Sequence, residues 1–382
     1  MNIKLQKSEL ERAMDVIKHT YLSRPETAIL SGVMITAEQD GVGDVAFCGT
    51  DMKIAIECVV KAEVIEGGRI VVSRDYLYGL VGRLPECEVI ISSISEREVM
   101  IRYENSVVTI KGYDTETFPE FVMGEWNEKG AIDFLLFADM IKKIEFACAS
   151  VSGGGVLSGI LLELEESKLA LVATDRYRLS IVETMINNKE VTYRAIIPQG
   201  VMQKMSLLAK YGMGKVRIGG DEKQIVFKVA NITVLARIID GQYPDYEKVL
   251  PDNEKCACCA EVDRRELINT LSRAAVIAAD SGVGNARIVC LDWREGEIIV
   301  TAKSSIVGSI REKVFAYMDG MLGEVYFDIR YLLDALKAIE EERVLIFLLG
   351  QNNACVIVPE THEAHEGRYD RQIHLIVPVR IK

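Results

Sequence analysis

Hydrophobic and polar positions along the chain follow the spacing of an amphipathic helix at three places. Apolar residues recur every three or four positions in each of them, which is typical of a helix with one buried face. The three predicted helices cover residues 9–17, 139–146 and 266–271. Matching Leu10, Met140 and Leu267 puts these helices 130 and 127 residues apart. Such a spacing indicates an internal repeat.

Two further landmarks recur at nearly the same spacing. A strand pattern that ends at or near a threonine covers residues 45–51, 171–175 and 298–301. A short strand then leads into a second helix, with predicted helices over residues 74–84, 199–208 and 329–339. Ser73, Pro198 and Asp328 stand at the entries to these helices, where a capping oxygen or a proline is favoured. Alternating strands follow, as at residues 87–93, 99–103 and 107–111 in the first copy.

Three landmarks in one order predict three copies of one domain, each with two helices and several antiparallel strands. The predicted fold class is therefore α+β. Pro119 and Pro244 end the first two copies at equivalent positions, so we expect boundaries near residues 127 and 252. The expected domains are residues 1–127, 128–252 and 253–382. Three unrelated domains of similar size are the alternative interpretation.

Composition changes this picture little, but it excludes several classes of protein. With 382 residues, 49% of them hydrophobic and 27% charged, the chain is globular and too long for one ordinary core. Its apolar runs are far shorter than the ~20 residues that cross a bilayer, and its first residues lack a leader pattern. We therefore expect a soluble, cytoplasmic protein without membrane partners. The net charge of −12 argues against a polybasic nucleic-acid binder, but it leaves room for one basic surface.

Candidate catalytic and metal sites are weak. His362 and His365 are spaced one residue too closely for a zinc helix of the His-Glu-x-x-His type and stand in a polar stretch. Cys256, Cys258 and Cys259 lack a second ligand pair nearby, so a strand is favoured over a metal site. No nucleophile motif or phosphate loop occurs in the sequence. We expect no enzymatic activity, no metal and no cofactor. Asp51 and Asp175, which follow equivalent strands, are expected to cap turns.

Several stretches resemble the bacterial β sliding clamp, the processivity subunit of DNA polymerase III. They are Thr174-Asp175-Arg176-Tyr177-Arg178-Leu179, residues 236–246 with the exit 249–251, and residues 377–380. The resemblance covers the whole chain, including its three repeats. It implies three clamp domains per chain and a head-to-tail dimer that forms a closed six-domain ring around duplex DNA. It further implies a non-catalytic role in DNA replication, in which the ring tethers the replicative polymerase.

The partners that this resemblance implies are double-stranded DNA, encircled without sequence preference, and a second copy of the chain. They also include the DNA polymerase III alpha subunit, the clamp loader, and other polymerases and repair proteins that carry short clamp-binding peptides. The implied peptide pocket lies between the second and third domains. Its residues are Leu157, Thr174, Arg176, Arg178, Leu179, Pro244, Val249, Tyr331, Leu375, Val377, Pro378, Val379 and Arg380. Arg178 and Arg380 are expected at the rim, where they would bind peptide carbonyls or carboxylates. Alternatively, these residues merely pack the joint between two repeats.

The resemblance also places a DNA-facing surface and a dimer interface. The basic residues expected to face DNA are Arg24, Arg74, Arg83, Lys142, Lys143 and Lys204. Arg264, Arg265 and Arg273 are also on or beside predicted helices, and each of these nine residues would equally suit a solvated helix face. The interface would join the strand at residues 106–110 to the helix end at residues 273–279. Its apolar contacts would be Val108, Val276 and Ile277.

Two other functions remain open at this point. One is a monomeric repeat scaffold, or protein-interaction module, that never closes on DNA. The other is a metal-dependent enzyme that uses the cysteines or the histidine-containing stretch at residues 359–372.

Overall fold

The computed structural model describes most of the chain in ten segments. They are residues 1–20, 27–38, 41–95, 97–119, 124, 126–186, 191–251, 256–278, 287–360 and 370–380.

The described residues contain six α-helices, and each of the six predicted helices corresponds to one of them. They are α1 (Lys7–Ile17), α2 (Arg74–Val81), α3 (Phe134–Lys142), α4 (Gln199–Leu208), α5 (Arg264–Ala278) and α6 (Ile329–Ala338). Helix α3 begins five residues earlier than predicted, because the Asp133 carboxylate accepts a hydrogen bond from the Leu136 amide at 3.0 Å. It ends at Lys142, and a short 3₁₀ helix follows at Glu145–Ala147. Asp328 caps α6 by accepting from the Arg330 amide, whereas Ser73 makes no such bond at the start of α2.

The described strands number twenty-four. Those of the first half of the chain are β1 (Asn2–Gln6), β2 (Gly32–Ala37), β3 (Gly41–Thr50), β4 (Ile54–Glu66), β5 (Gly68–Ser73), β6 (Glu88–Ser95), β7 (Glu98–Tyr103), β8 (Ser106–Tyr113), β9 (Glu128–Asp133), β10 (Gly159–Glu165), β11 (Lys168–Thr174) and β12 (Arg178–Met185). Those of the second half are β13 (Tyr193–Pro198), β14 (Lys215–Gly220), β15 (Gln224–Val229), β16 (Ile232–Arg237), β17 (Cys258–Asp263), β18 (Ile288–Arg294), β19 (Glu297–Ser304), β20 (Gly308–Asp319), β21 (Gly323–Asp328), β22 (Arg343–Leu348), β23 (Cys355–Pro359) and β24 (Arg371–Ile376).

The chain forms two compact units, and each unit is built on one twelve-stranded sheet. The first unit consists mainly of residues 1–138 and 204–238, with the strand order β1-β6-β7-β8-β5-β2-β3-β4-β16-β15-β14-β9. Strand β1 also pairs with β4. The junction between the first and second repeats is the β4–β16 pair, which places Ile56 opposite Val234. One repeat therefore continues into the next through backbone hydrogen bonds.

The second unit consists mainly of residues 139–186 and 239–382, with the strand order β13-β10-β11-β12-β24-β23-β22-β17-β20-β19-β18-β21. Its junction between repeats is the β12–β24 pair, which places Leu179 opposite Leu375. Helices α5 and α6 pack on the sheet of the third repeat, over a core that includes Trp293 and Phe327. Since both sheets combine strands from two repeats, the boundaries at 127 and 252 stay predictions.

Equivalent turns confirm the capping roles of Asp51 and Asp175. The Asp51 carboxylate accepts from the amides of Lys53 and Ile54 at 2.9 and 2.8 Å. The Asp175 carboxylate accepts from the amides of Tyr177 and Arg178 at 2.9 and 3.0 Å. The residue after each aspartate has a positive φ, 70° at Met52 and 79° at Arg176. The same turn thus occurs at the same place in two repeats.

No described helix has both the length and the apolar character needed to cross a membrane.

Candidate functional site

The buried part of the predicted partner pocket is one apolar cluster in the second unit. Leu157, Leu179 and Leu375 belong to it and are almost inaccessible to solvent. Leu157 comes from the 3₁₀ helix at Gly155–Ser158, while strand pairing brings the other two together. Tyr243 and Tyr246 cover the same cluster from the segment that follows β16.

The Tyr246 hydroxyl and the Cys148 thiol lie near this cluster and both keep their protons at neutral pH. The Tyr246 hydroxyl donates a 2.6 Å hydrogen bond to the Glu163 carboxylate, and burial together with that bond raises the pKa of Tyr246. Burial likewise raises the pKa of the Cys148 thiol to about 12. The cluster is built from apolar side chains, which suits apolar side chains of a ligand.

The remaining predicted pocket residues are more accessible. Val249 is 56% exposed and Val377 is 39% exposed. The others are Arg176, Pro244 and Arg380, which are exposed, and Thr174, Tyr331, Pro378 and Val379, which are half-buried. Accessible apolar residues close in sequence to members of a buried apolar cluster are suited to bind side chains of a peptide.

The chain end at Val377–Arg380 is fixed by two backbone hydrogen bonds. The Val377 amide donates to the Tyr177 carbonyl at 2.8 Å, and the Val379 amide donates to the Tyr326 carbonyl at 2.7 Å. One bond reaches the Asp175 turn of the second repeat and the other reaches β21 of the third. A separate groove of about 460 Å³ lies on strands β18–β21, but none of the predicted pocket residues lines it.

Arg178, which is expected at the pocket rim, has its guanidinium engaged by other side chains of the second unit. Nε donates to Asp175 at 2.9 Å and Nη1 donates to Asp334 at 2.7 Å. The guanidinium also lies over the rings of Tyr331 and Phe146, at 4.4 and 5.3 Å from their centroids. These contacts leave the Arg178 side chain half-buried, 13% exposed, within the second unit. The sequence did not single out Asp334 and Phe146, although Asp334 stands three residues after Tyr331, on the same face of α6.

The predicted DNA-facing residues divide into accessible and buried ones. Lys142 and Arg83 are exposed, and Lys204 is half-buried in an ion pair with Asp51 at 3.0 Å. Arg74 and Lys143 are only 2% and 3% exposed, so neither presents its charge to DNA in this conformation.

The contacts of these two side chains account for their burial. Arg74 directs its guanidinium to Thr20 and Asp75, and Lys143 donates to the Ala338 carbonyl at the end of α6. Arg24 lies outside the described residues.

A further basic group, which the sequence did not single out, surrounds His19 in the first unit. Burial is the main cause that lowers the pKa of His19, to about 4, and Lys210 and Lys18 contribute. Lys18 is paired with Asp15 at 2.5 Å, and the Lys210 ammonium lies 4.6 Å from the centroid of the Tyr211 ring. Lys18 and His19 follow α1, and Lys210 follows α4. The helical pattern of the sequence does not show that the ends of these two helices lie close together.

The predicted interface residues lie beside two strands with open edges. Val276 is 70% exposed on α5, while Val108 and Ile277 are half-buried. Among the described strands, β8 pairs only with β7 from Ser106 to Lys111 and reaches β5 only at its last two residues. Over its first eight residues, β20 likewise pairs only with β19.

The cysteines and histidines offer no metal site in the part of the chain that the structure describes. No group of three or more His, Cys, Asp or Glu side chains there has the arrangement to hold a metal ion. All nine cysteines are free thiols, and Cys258 is buried on β17. His362 and His365 lie outside the described residues.

Comparison with known proteins identifies the family. Sequence models of the DNA polymerase III beta subunit match its N-terminal domain at residues 1–122, its central domain at residues 131–245 and its C-terminal domain at residues 247–368. The beta sliding clamps of Bacillus subtilis and Halalkalibacterium halodurans are 27% and 26% identical to this chain, covering 100% and 94% of both sequences.

Solved structures agree with this assignment. The DNA polymerase sliding clamp from Bacillus subtilis has a TM-score of 0.90 at 25% identity, and a sliding clamp from Pseudomonas aeruginosa has 0.90 at 23%, each over the full length of both chains.

Three clamp domains with this fold define a DNA clamp, a class of protein that acts in replication without catalysing a reaction. The chain belongs to the DNA polymerase III beta subunit family, the bacterial β sliding clamps. Its function is that of a processivity factor, and its partners in general are DNA and DNA polymerase.

Proposed function

We propose that two copies of this chain join head to tail into a closed ring of six domains around duplex DNA. The observation that carries the proposal is the pair of open strand edges, β8 in the first repeat and β20 in the third. An interface between different surfaces closes into a ring when each copy supplies both. Antiparallel pairing of β8 with β20 of the other copy would satisfy the free backbone groups of both strands. Exposed Val276 and half-buried Ile277 and Val108 would then supply apolar contacts.

The ring holds DNA through its basic helix surfaces without reading sequence. Lys142, Arg83 and Lys204 remain the candidates for phosphate contacts, and Arg24 is a further candidate from the sequence. Lys210 near His19 adds positive charge to the first unit, where Lys18 is paired with Asp15. Contacts of this kind depend strongly on salt and carry no base preference.

The partner pocket binds short peptides of the proteins that work on DNA with the clamp. These partners are the polymerase III alpha subunit, the clamp loader, and other polymerases and repair proteins, in the cytoplasm. Support comes from the apolar cluster that contains Leu157, Leu179 and Leu375, and from the accessible Val249 and Val377 close to it in sequence. A peptide of about five residues with apolar anchors typically binds such a surface with micromolar affinity, or roughly −8 kcal/mol.

Loading on circular DNA tests encirclement. We expect rings loaded onto a closed circle by a clamp loader to persist at a salt concentration that strips electrostatic binders from DNA. Cutting the circle once should release them, since a ring slides off a free end. Retention on the linear product at high salt would contradict encirclement, and an uncut circle carried through the same steps is the control.

A further inference from the structure

The second unit contains one arginine and one lysine whose contacts with helix α6 are not explained by peptide binding. Both come from the second repeat, and both end on helix α6 of the third repeat. We propose that Arg178 and Lys143 are positioning residues that hold α6 and, through it, fix the chain end at Val377–Arg380. The consequence for peptide binding rests on the proposed function of the pocket.

Arg178 holds the side of α6. Nη1 lies 2.7 Å from the Asp334 carboxylate, and the guanidinium stacks at 4.4 Å on the ring of Tyr331. Tyr331 and Asp334 are three residues apart, which places both on one face of the helix. A planar guanidinium satisfies a carboxylate and an aromatic face together, which a lysine ammonium does less well.

Arg178 is itself held from the second repeat. Its Nε donates to Asp175 at 2.9 Å, and its backbone amide donates to the other oxygen of the same carboxylate at 3.0 Å. Phe146 covers the guanidinium at 5.3 Å. The arginine therefore has little freedom to follow α6 if the helix moves.

Lys143 holds the end of α6. Its ammonium donates to the carbonyl of Ala338, the last residue of the helix, at 3.1 Å, and pairs with Glu340 at 3.2 Å and Asp139 at 3.6 Å. A cation at a helix C-terminus interacts favourably with the helix dipole. The Gln372 side chain donates to the same carbonyl at 3.1 Å, so β24 meets the helix at this point as well.

The position of α6 determines where the chain end lies. Helix α6 follows β21 without a break, and the Tyr326 carbonyl of β21 accepts from the Val379 amide at 2.7 Å. The Tyr177 carbonyl, one residue before Arg178, accepts from the Val377 amide at 2.8 Å. The two ends of this short segment are thus attached to the two elements that Arg178 joins. A shift of α6 against the Asp175 turn would stretch or break one of these bonds.

Hydrogen exchange of the full chain, followed by mass spectrometry, tests this inference without any peptide ligand. We expect Arg178→Met and Lys143→Met to speed exchange of the Val377 and Val379 amides by about tenfold, the size expected for loss of a charge-assisted contact. Amides of β18 and β19 should keep their wild-type rates, which separates positioning from general destabilisation. Arg178→Lys should restore only part of the protection. Arg330→Met is the matched control, since that arginine is on α6 but pairs with Asp328 of its own repeat at 2.6 Å.

A second variant keeps the test decisive if Arg178→Met does not fold. Asp334→Ala removes the same contact from the more accessible partner and should give the same local exchange. Unchanged exchange at Val377 and Val379 in Asp334→Ala and Lys143→Met would overturn the inference, as would an equal rise throughout the third repeat. Titrating a labelled peptide, copied from the clamp-binding segment of a polymerase III alpha subunit, into the wild-type protein tests the pocket separately. Absence of binding there would contradict the proposed function, while the exchange rates would still decide the positioning role.

Discussion

The Ser180 hydroxyl oxygen lies 2.9 Å from Nδ1 of His374 on adjacent strands, β12 and β24, which join the second repeat to the third. Both side chains are 1% exposed. The Gln372 amide nitrogen lies 2.8 Å from Nε2 of the same ring and acts as a donor to it. The proton of the neutral ring is then on Nδ1 and points to Ser180. A second proton, on Nε2, would face the Gln372 donor, so this arrangement disfavours the imidazolium form.

The first prediction concerns the pH dependence that follows from this arrangement. Burial, assisted by the nearby Lys143 ammonium, lowers the pKa of His374 to about 3. The unfolded chain binds this proton near pH 6.5, so the contribution of the neutral ring to stability is complete above that pH. It is lost at about 1.4 kcal/mol per pH unit as the pH falls from about 6.5 towards 3.

Denaturant unfolding at several pH values between 4.5 and 7.5 checks it. We expect the free energy of unfolding of His374→Gln to depend less steeply on pH than that of the wild type. The difference in slope should correspond to about one proton fewer taken up on unfolding. His19→Asn is a useful comparison, because the pKa of His19 is lowered to about 4 and its loss of stability is confined to the range between about 6.5 and 4. A His374 ring signal that titrates near pH 6.5 in the folded protein would contradict the assignment.

The fold was largely predictable from the sequence because helix and strand periods are local properties. Repeat spacing placed all six helices and the capping aspartates Asp51 and Asp175. The pairing of Leu179 with Leu375 could not be derived in this way. The alternation of apolar and polar residues along a strand shows which side chains share a face of the sheet, but it does not show which other strand is the neighbour. The resemblance placed both residues in the pocket without predicting their pairing.

The site contacts that the sequence did not predict have the same origin. Lys143 follows α3, and its burial depends on α6, which is almost 200 residues away in the chain. Arg178 stands in a stretch typical of the family, but its role depends on Asp334 of α6. A basic residue beside a predicted helix therefore indicates a possible DNA contact only when tertiary packing leaves it exposed, as it does Lys142.

The second prediction uses this distinction to test the DNA-facing surface. Lys142→Ala should weaken binding of a short duplex and lower the slope of log K against log salt concentration by about 1, the effect of losing one phosphate contact. The loss should be the same for duplexes of different sequence. Lys61→Ala is the control, because Lys61 is exposed on β4 and pairs with Asp44. Equal salt-dependence slopes for Lys142→Ala and the wild type would show that Lys142 does not contact DNA.

The third prediction concerns ring closure. Val276→Asp, alone and with Ile277→Asp, should convert the dimer into folded monomers, since an unpaired charge buried in an interface costs several kcal/mol. The single variant separates dimer formation from folding better than the double variant. Val276 is 70% exposed within one chain, whereas Ile277 packs partly against the core. Sedimentation should then give the chain mass of 42.6 kDa rather than about twice that value.

Met213→Asp is the matched control for this experiment. Met213 is 89% exposed and is outside the predicted interface, so its replacement should leave the dimer intact. A Val276→Asp, Ile277→Asp double variant that still sediments as a dimer would show that the interface lies elsewhere.

The fourth prediction concerns the chain end at the partner pocket. Removing residues 377–382 takes away Val377, Pro378, Val379 and Arg380, together with the hydrogen bonds to Tyr177 and Tyr326. Leu375 remains in its strand, so the apolar cluster keeps this leucine. We therefore expect the truncated protein to retain its dimer and nearly all of its thermal stability, but to lose micromolar binding of polymerase-derived peptides.

The matched control for this experiment removes residues 381–382 alone, which the predicted pocket does not include, and it should bind the peptide as the intact protein does. Fluorescence titration of one labelled peptide into the three proteins gives the comparison. Equal affinity in all three would mean that Leu157, Leu179 and Leu375 pack a joint between repeats and that partners bind elsewhere. A chain end held by two backbone hydrogen bonds, with accessible side chains, should contribute little to thermal stability. A large fall in the thermal stability of the longer truncation would therefore show that residues 377–380 stabilise the fold.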